Sequence, residues 1–130
     1  MKYQETTAVI LNSFYAVYNI LGFGFLEKVY EKALLNELTS RGLICSRQVP
    51  IAVYYKDSIV GEYYADIVVN NEIIIELKAV ERLVIEHELQ LINYLKATQI
   101  EVGLLLNFGK EPQVKRKIYT NDRKQIRDKL

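Results

Sequence analysis

Two strand-like runs separated by a polar turn constrain the fold of this chain more than any other feature. Residues 64–69 and 73–77 are rich in apolar and β-branched side chains, and residues 70–72 between them read Asn-Asn-Glu. This pattern predicts a β-hairpin with a three-residue loop. Asparagine suits the left-handed backbone conformation that such a loop requires. A three-residue loop sets the register, with Val69 facing Ile73.

The hairpin carries three charged side chains inside otherwise apolar sequence, namely Asp66, Glu76 and Lys78. Because side chains alternate between the two faces of a strand, this register puts Asp66 opposite Glu76, about 5 Å apart at Cβ, with Lys78 on the same face. Two facing carboxylates repel each other unless a cation lies between them, and carboxylate oxygens are the ligands that magnesium prefers. The alternative is an ordinary Asp66–Lys78 ion pair at a solvated edge.

Hydrophobic periodicity elsewhere predicts an α/β fold. Helical spacing is replaced by strand-like alternation after the first third of the chain, and Gly22 and Gly42 follow the first two helical stripes as stop signals. We expect one domain, residues 1–130, with a mixed β-sheet flanked by helices. The predicted elements are helices at residues 9–21, 26–38 and 85–98 and strands at residues 49–55, 59–69, 73–77, 102–108 and 115–119.

Composition excludes several classes of site. The single cysteine, Cys45, rules out an internal disulfide framework or a multi-thiolate metal cluster, and the single histidine, His87, rules out a multi-histidine zinc site. Residues 1–5 lack the apolar core of a signal peptide, and no apolar run approaches the roughly 20 residues that span a bilayer. We therefore expect a cytoplasmic protein with no membrane partner.

The formal net charge of +1 is unevenly distributed, because residues 110–130 hold eight Lys or Arg and three acidic residues. A basic segment of this kind suits a phosphate backbone, and a solvated helix or strand end explains it equally well. The charge permits a nucleic-acid partner without proving one.

The ordered series of motifs resembles the small bacterial GxxExxY family of the PD-(D/E)XK nuclease superfamily. Segments 93–98 and 106–109 are also similar to that family. Gln90 and Tyr94 resemble the QxxxY element of RecB-like and Cas4-like nucleases, but the Cas4-like cysteines are absent, so no iron–sulfur cluster is implied. The matching motif residues are Gly24, Glu27 and Tyr30 for the name motif, Asp66 for the lone aspartate, and Glu76, Leu77 and Lys78 for the ExK element.

The resemblance implies a restriction-endonuclease-like core that binds one or two Mg²⁺ or Mn²⁺ ions. Asp66 and Glu76 would be the metal ligands, and the backbone carbonyl of Leu77 would add a further oxygen. Lys78 would orient the attacking water and offset charge that develops on the phosphate. Glu27 would reach the metal directly or through water; alternatively, it is simply a favourable acid at a helix N-terminus.

Four further residues are candidates for substrate binding. Gln90 and Tyr94 lie four residues apart on one helix face, where they would contact phosphate or orient Lys78. Core packing is the alternative for Tyr94. His87 lies one turn before Gln90 and is either an auxiliary contact or a partly exposed polar residue. Gln48 matches a family position just before the first strand, with no role that follows from the sequence.

The function expected from these residues is metal-dependent hydrolysis of phosphodiester bonds in nucleic acid, with DNA as the preferred substrate. The competing interpretation is a catalytically inactive nucleic-acid-binding or scaffold module of the same fold. Because the chain is small and has no recognisable specificity domain, a homodimer or a protein partner that helps to hold substrate remains an alternative.

Overall fold

Five strands and three α-helices make up residues 2–124, the part of the chain that the computed structural model describes. The elements, in chain order, are α1 (Gln4–Leu21), α2 (Glu27–Ser40), β1 (Cys45–Tyr55), β2 (Ser58–Val69), β3 (Ile73–Lys78), α3 (Ile85–Lys96), β4 (Val102–Phe108), β5 (Pro112–Ile118) and a 3₁₀ turn, Asn121–Arg123.

The strands form one mixed sheet in the order β1-β2-β3-β4-β5. Neighbouring strands are antiparallel except β3 and β4, which are parallel and are connected through α3. A parallel pair needs such a crossover because its connection must return to the starting end of the sheet. The predicted α/β class with a mixed sheet is confirmed.

Helices cover both faces of the sheet. On one face, apolar residues of α1 and α2 pack against alternate residues of β2, β3 and β4, around the fully buried Phe14, Tyr30 and Phe108. On the other face, Leu91 and Leu95 of α3 pack against a second set of strand residues. The central strands are therefore buried on both sides, which explains their nearly continuous apolar sequence.

The register predicted for the β2–β3 hairpin is confirmed. Val69 pairs with Ile73, and the two residues before and after them continue the antiparallel ladder. Asn70 and Asn71 adopt positive φ angles of 53° and 54°, as expected for the loop. Asn70 also accepts a hydrogen bond from Ile44 N–H at 3.0 Å and donates its own N–H to Ile44 at 2.8 Å, which ties the loop to the start of β1.

The prediction that β1 begins at residue 49 was wrong. The strand starts at Cys45, and Gln48 therefore lies inside it rather than before it. Ser46 and Arg47 pair with Val68 and Ile67, although their side chains are polar and exposed. β1 is an edge strand of the sheet, where polar side chains are tolerated, so hydrophobicity did not reveal its first residues.

In the two-stranded ribbon formed by β1 and β2, the side chains of β1 that face α1 and α2 before Gln48 are followed by side chains that face α3 after it. Cys45 packs on the α1–α2 side of the sheet, whereas Val49 and Ile51 pack on the α3 side. Simple alternation would leave all three on one face. Gln48 has a φ angle of 50°, which is unusual for a residue other than glycine and accommodates this change of face.

Several other boundaries differ from expectation. α1 begins at Gln4 rather than at residue 9. α3 ends at Lys96, and β5 occupies Pro112–Ile118 rather than residues 115–119. Part of the basic C-terminal segment, residues 125–130, lies outside the described residues. Within residues 2–124, none of the helices has the length and apolar character needed to cross a membrane.

Candidate active site

Asp66 and Glu76 face each other where β2 and β3 stop pairing through their backbones. The ladder ends at Ile67 and Ile75. Beyond that pair, Asp66 N–H donates to Glu76 Oε1 at 3.0 Å, and Leu77 N–H donates to Asp66 Oδ2 at 2.8 Å. Each carboxylate thus satisfies a backbone donor of the other strand. These reciprocal contacts hold the two side chains side by side at the end of the hairpin.

Glu76 is buried in a position that disfavours its charge. Its relative exposure is 5%. Burial, followed by the negative charge of Asp66, raises the pKa of Glu76 to about 9. The pKa of Asp66 is also raised by burial, while the hydrogen bond from Leu77 opposes that shift. The pair is therefore poised to accept positive charge.

Lys78 lies at the end of β3, two residues beyond Glu76, and is half-buried. Its positive charge lowers the pKa values of Asp66 and Glu76. Among residues 2–124 its ammonium group takes part in no hydrogen bond or salt bridge shorter than 4 Å. The group is close enough to act on the carboxylates electrostatically and still has its donors available.

Glu27, predicted to lie near the start of the second helix, is the first residue of α2, and the preceding loop determines its position. Tyr30 is fully buried, donates its hydroxyl to Gly22 O at 2.7 Å and accepts from Phe25 N–H at 3.2 Å. Gly24 has a φ of 110°, which favours glycine. The side chain of Tyr30 therefore ties the loop to the core and fixes where α2 begins.

The pKa of the Glu27 carboxyl group is affected by the charges of the site, although the residue as a whole is exposed. Partial desolvation and the charge of Asp66 raise its pKa, and the positive charge of Lys78 opposes that shift. The Glu27 carboxyl group therefore lies within electrostatic range of Asp66 and Lys78.

Sequence reasoning missed a polar network behind Asp66. Glu31 is 6% exposed and accepts from Arg47 Nη2 at 2.9 Å and from Gln48 Nε2 at 2.8 Å. The Gln48 amide also lies 3.4 Å from Asp66 Oδ1. A signal was present, because Glu31 follows Glu27 by four residues and so shares its helix face. The contacts give Gln48 a role, linking α2 to the Asp66 carboxylate.

The helix after β3 brings one of its three candidate residues close to the carboxylates. Tyr94 is 6% exposed, and burial, then the charges of Glu76 and Asp66, raise its pKa to about 12. Gln90, one turn earlier, is half-buried beside a groove. His87 instead accepts a hydrogen bond from Val84 N–H through Nδ1 at 3.2 Å. That contact caps the N-terminus of α3.

Glu88, an acidic residue in the first turn of α3, forms a salt bridge with Lys117 of β5 at 2.6 Å. The hydrogen bond from Lys117, followed by its positive charge, lowers the pKa of Glu88. This acid therefore serves to join α3 to the edge strand rather than to complete the carboxylate pair.

Asn107 of β4 holds the segment that follows Lys78. Its fully buried side chain accepts from Val80 N–H at 3.0 Å and donates to Val80 O and to Gln113 Oε1, both at 3.0 Å. Gln113 Oε1 also accepts from Leu83 N–H at 3.1 Å. The loop between β3 and α3 is therefore fixed by side-chain amides, which positions Lys78 relative to α3.

The donor set fits a hard divalent cation. One oxygen of each carboxylate accepts a backbone N–H, so Glu76 Oε2 and Asp66 Oδ1 remain free of backbone donors within the described residues. In the same part of the chain, no group of three His, Cys, Asp or Glu is arranged to hold a metal ion. Protein ligation would therefore rest on two carboxylates, supplemented by a backbone oxygen and water.

Comparison with known proteins agrees with this architecture. No curated protein and no solved structure matches the chain significantly. A family profile described as the PD-(D/E)XK nuclease superfamily matches residues 4–118, which include every element from α1 to β5. Members of that superfamily generally use divalent metal ions. The chain therefore belongs to the PD-(D/E)XK nuclease superfamily.

Proposed function

We propose that this protein is a metal-dependent nuclease that hydrolyses phosphodiester bonds in nucleic acid, with DNA as the expected substrate and Mg²⁺ or Mn²⁺ as the metal. The observation that carries the proposal is the pair of crossed contacts between Asp66 and Glu76, which holds the buried carboxylate of Glu76 beside the half-buried carboxylate of Asp66. Retaining a buried carboxylate pair is costly unless a cation offsets the charge.

Asp66 and Glu76 would hold the metal through the oxygens that no backbone donor occupies, and the carbonyl oxygen of Leu77 would add a ligand. The bound ion would activate water and offset negative charge on the phosphate. Lys78 donates from its ammonium group to the attacking water or to a phosphate oxygen. Glu27, at the start of α2, would reach the metal directly or through water. Its carboxyl group lies within electrostatic range of Asp66 and Lys78.

Membership of the GxxExxY family is part of the proposal. The contacts of Tyr30 with the α1–α2 loop and the φ of Gly24 support it, because they fix the start of α2, where Glu27 lies. Gln90 and Tyr94 would correspond to the QxxxY element, with Tyr94 closest to the carboxylates. Gln48 positions Asp66, and His87 is the weakest candidate for substrate contact because its ring nitrogen already caps α3.

A catalytically inactive nucleic-acid-binding or scaffold module is the second candidate. One observation favours it, namely that no third ligating side chain joins Asp66 and Glu76 closely enough, within residues 2–124, to form a three-ligand metal group. Two-carboxylate sites bind magnesium through additional waters and substrate phosphates, so this arrangement is also compatible with catalysis.

Cleavage of radiolabelled DNA and RNA in the presence of Mg²⁺ or Mn²⁺ tests the proposal. Asp66→Asn and Lys78→Ala should each lower the cleavage rate by about a hundredfold or more. Asp57→Asn, a change at the exposed tip of the β1–β2 ribbon, is the matched control and should leave the rate unchanged. Cleavage that is independent of metal, or that survives both site substitutions, would assign the activity to another source and favour the binding module.

A further inference from the structure

A groove with a volume of about 880 Å³ lies between α3 and the ribbon formed by β1 and β2. Tyrosine side chains contribute to its wall from three parts of the chain, with Tyr54 and Tyr63 on the ribbon, Tyr94 on α3 and Tyr119 after β5. Tyr63 is 46% exposed, so part of its ring remains open to a ligand. Aromatic rings in a groove are typical of surfaces that stack on unpaired bases.

The groove adjoins the candidate active site through Tyr94, although Asp66, Glu76 and Lys78 are not among its described lining residues. Tyr94 lines the groove, and the negative charges of Glu76 and Asp66 contribute to the raised pKa of the same side chain. Tyr63 packs against Tyr94 with ring centroids 5.7 Å apart, and Asp66 follows three residues later on the same strand. A ligand that occupies the groove would therefore pass Tyr94, which lies within electrostatic range of the carboxylate pair.

The charge of the groove suits a polyanion. Lys96 and Arg123 are exposed and lie 5.5 and 4.3 Å from the centre of the Tyr119 ring. Glu86 is the acidic residue among the groove's described lining residues. Lys124 adds no free ammonium group, because its Nζ donates to the carbonyl oxygens of Thr98 and Ile100 at 3.0 and 2.8 Å. The cations at Tyr119 are thus placed to contact phosphates.

We propose that this groove binds an unpaired strand of nucleic acid and guides it to the Asp66–Glu76 pair. The inference rests on the proposed function and specifies its substrate as single-stranded. A duplex hides the faces of its bases within the stack, whereas an unpaired strand presents them to aromatic side chains and its phosphates to Lys and Arg. Tyr63 is the expected stacking residue, and Lys96 and Arg123 are the expected phosphate contacts.

Binding can be measured apart from cleavage by fluorescence anisotropy, with Ca²⁺ or EDTA in place of Mg²⁺. The probes are fluorescein-labelled DNA and RNA strands of about 12 nucleotides and the matching duplexes. We expect the full chain to bind the single strands more tightly than the duplexes. Comparison of the DNA and RNA probes identifies the preferred sugar.

The two neighbouring tyrosines of β2 provide a matched pair of variants. Tyr63 lines the groove. Tyr64, its neighbour on β2, is 54% exposed, lies on the opposite face of the strand and does not line the groove. Tyr63→Ala should weaken binding about tenfold, whereas Tyr64→Ala should not. Tyr63→Phe retains the ring and should retain affinity, which separates stacking from a folding defect. Lys96→Ala should also weaken binding, in contrast to Lys32→Ala, which changes an exposed position of α2 outside the groove.

The outcomes separate this inference from the proposed function. Metal-dependent cleavage with tighter duplex binding, or with equal affinity in Tyr63→Ala and Tyr64→Ala, overturns the groove assignment and leaves the nuclease intact. Single-strand binding that depends on Tyr63 without any cleavage supports the groove and overturns the nuclease. Absence of binding to every probe overturns the groove assignment.

Discussion

At the scale of single residues, Asp66 and Glu76 replace part of the sheet's hydrogen bonding. Where the ladder between β2 and β3 ends, their carboxylates accept the backbone N–H groups of Leu77 and Asp66. Unpaired backbone donors in a buried position are costly. The carboxylates therefore have a structural task in addition to their proposed chemical one, and their substitution should be made with side chains that retain an acceptor.

The raised pKa of Glu76 predicts that the protein loses stability as the pH rises in the absence of divalent metal. The folded-state pKa is about 9, against 4.5 for an ordinary glutamate. Between these values the unfolded chain releases a proton that the folded chain retains, so the free energy of unfolding falls, by on the order of several kcal/mol in all. Urea denaturation at pH 5 and pH 8 in EDTA measures this decrease.

Glu76→Gln removes the titrating group but keeps an oxygen that accepts from Asp66 N–H. This variant should show a smaller loss of stability between pH 5 and pH 8 and should be more stable than the native protein at pH 8 without metal. An unchanged pH dependence in Glu76→Gln would mean that another group titrates in this range.

Gln48 offers a second prediction at the residue scale, because it links Glu31 to Asp66 and adopts a φ of 50°. Gln48→Gly removes the amide without straining the backbone. We expect the affinity for Mn²⁺, measured by calorimetry, to fall about tenfold, as for loss of a partner that orients a metal ligand. Arg47→Ala is the control, since Arg47 contacts the same Glu31 without reaching Asp66. Equal losses in both variants would contradict the role of Gln48.

At the scale of elements, the site forms where the end of the β2–β3 hairpin meets the start of α2. Tyr30 anchors the α1–α2 loop by its hydroxyl and stacks on Phe108 with centroids 4.3 Å apart. Asn107, the residue before Phe108, fixes the loop after β3. The C-terminal end of β4 therefore supports two connections that surround the candidate site. Phe108 supports the α1–α2 loop through Tyr30, and Asn107 supports the loop between β3 and α3.

Gly109, directly after β4, lies where the end of β4 and the loop after β3 approach each other too closely for a larger residue. A Cβ atom at this position would lie 2.3 Å from Val80 O and 2.8 Å from the Asn107 amide nitrogen, which is closer than atoms can pack. Gly109→Ala should therefore lower the free energy of unfolding by about 1–3 kcal/mol. Chemical denaturation measures the change. Gly61→Ala is the control, because its nearest neighbour is the movable ring of Tyr63 at 3.2 Å, and it should have little effect.

At the scale of the whole molecule, metal binding should be linked to folding and to pH. An ion that binds only the folded chain stabilises it by mass action, and it must displace the proton that Glu76 retains without metal. We expect Ca²⁺ or Mn²⁺ to raise the melting temperature, and to do so more at pH 8 than at pH 6. Differential scanning fluorimetry measures the shift.

Asp66→Asn should abolish this metal-dependent shift, while Asp57→Asn should retain it. A shift of the same size in the native protein and in Asp66→Asn would locate the ion elsewhere. A shift that is larger at pH 6 than at pH 8 would contradict competition between the metal and the Glu76 proton.

Local pattern was sufficient to predict the β2–β3 hairpin. Strand-like runs, an Asn-rich loop and side-chain alternation depend on neighbouring residues, so the pairing of Val69 with Ile73 followed from the sequence. The start of β1 was not predictable in this way, because Ser46 and Arg47 form strand structure only through pairing with β2. Edge strands of this kind carry little hydrophobic signal.

The sequence by itself determined the order of helices and strands, the register that sets Asp66 opposite Glu76, and the presence of charge where charge is costly. Only the tertiary structure decided that Glu31 and Gln48 lie behind Asp66 and that tyrosines from three separate segments line one groove. The physical reason is distance along the chain. Periodicity reports contacts within an element or one turn, whereas these contacts join residues far apart in sequence and exist only after the sheet and helices have packed.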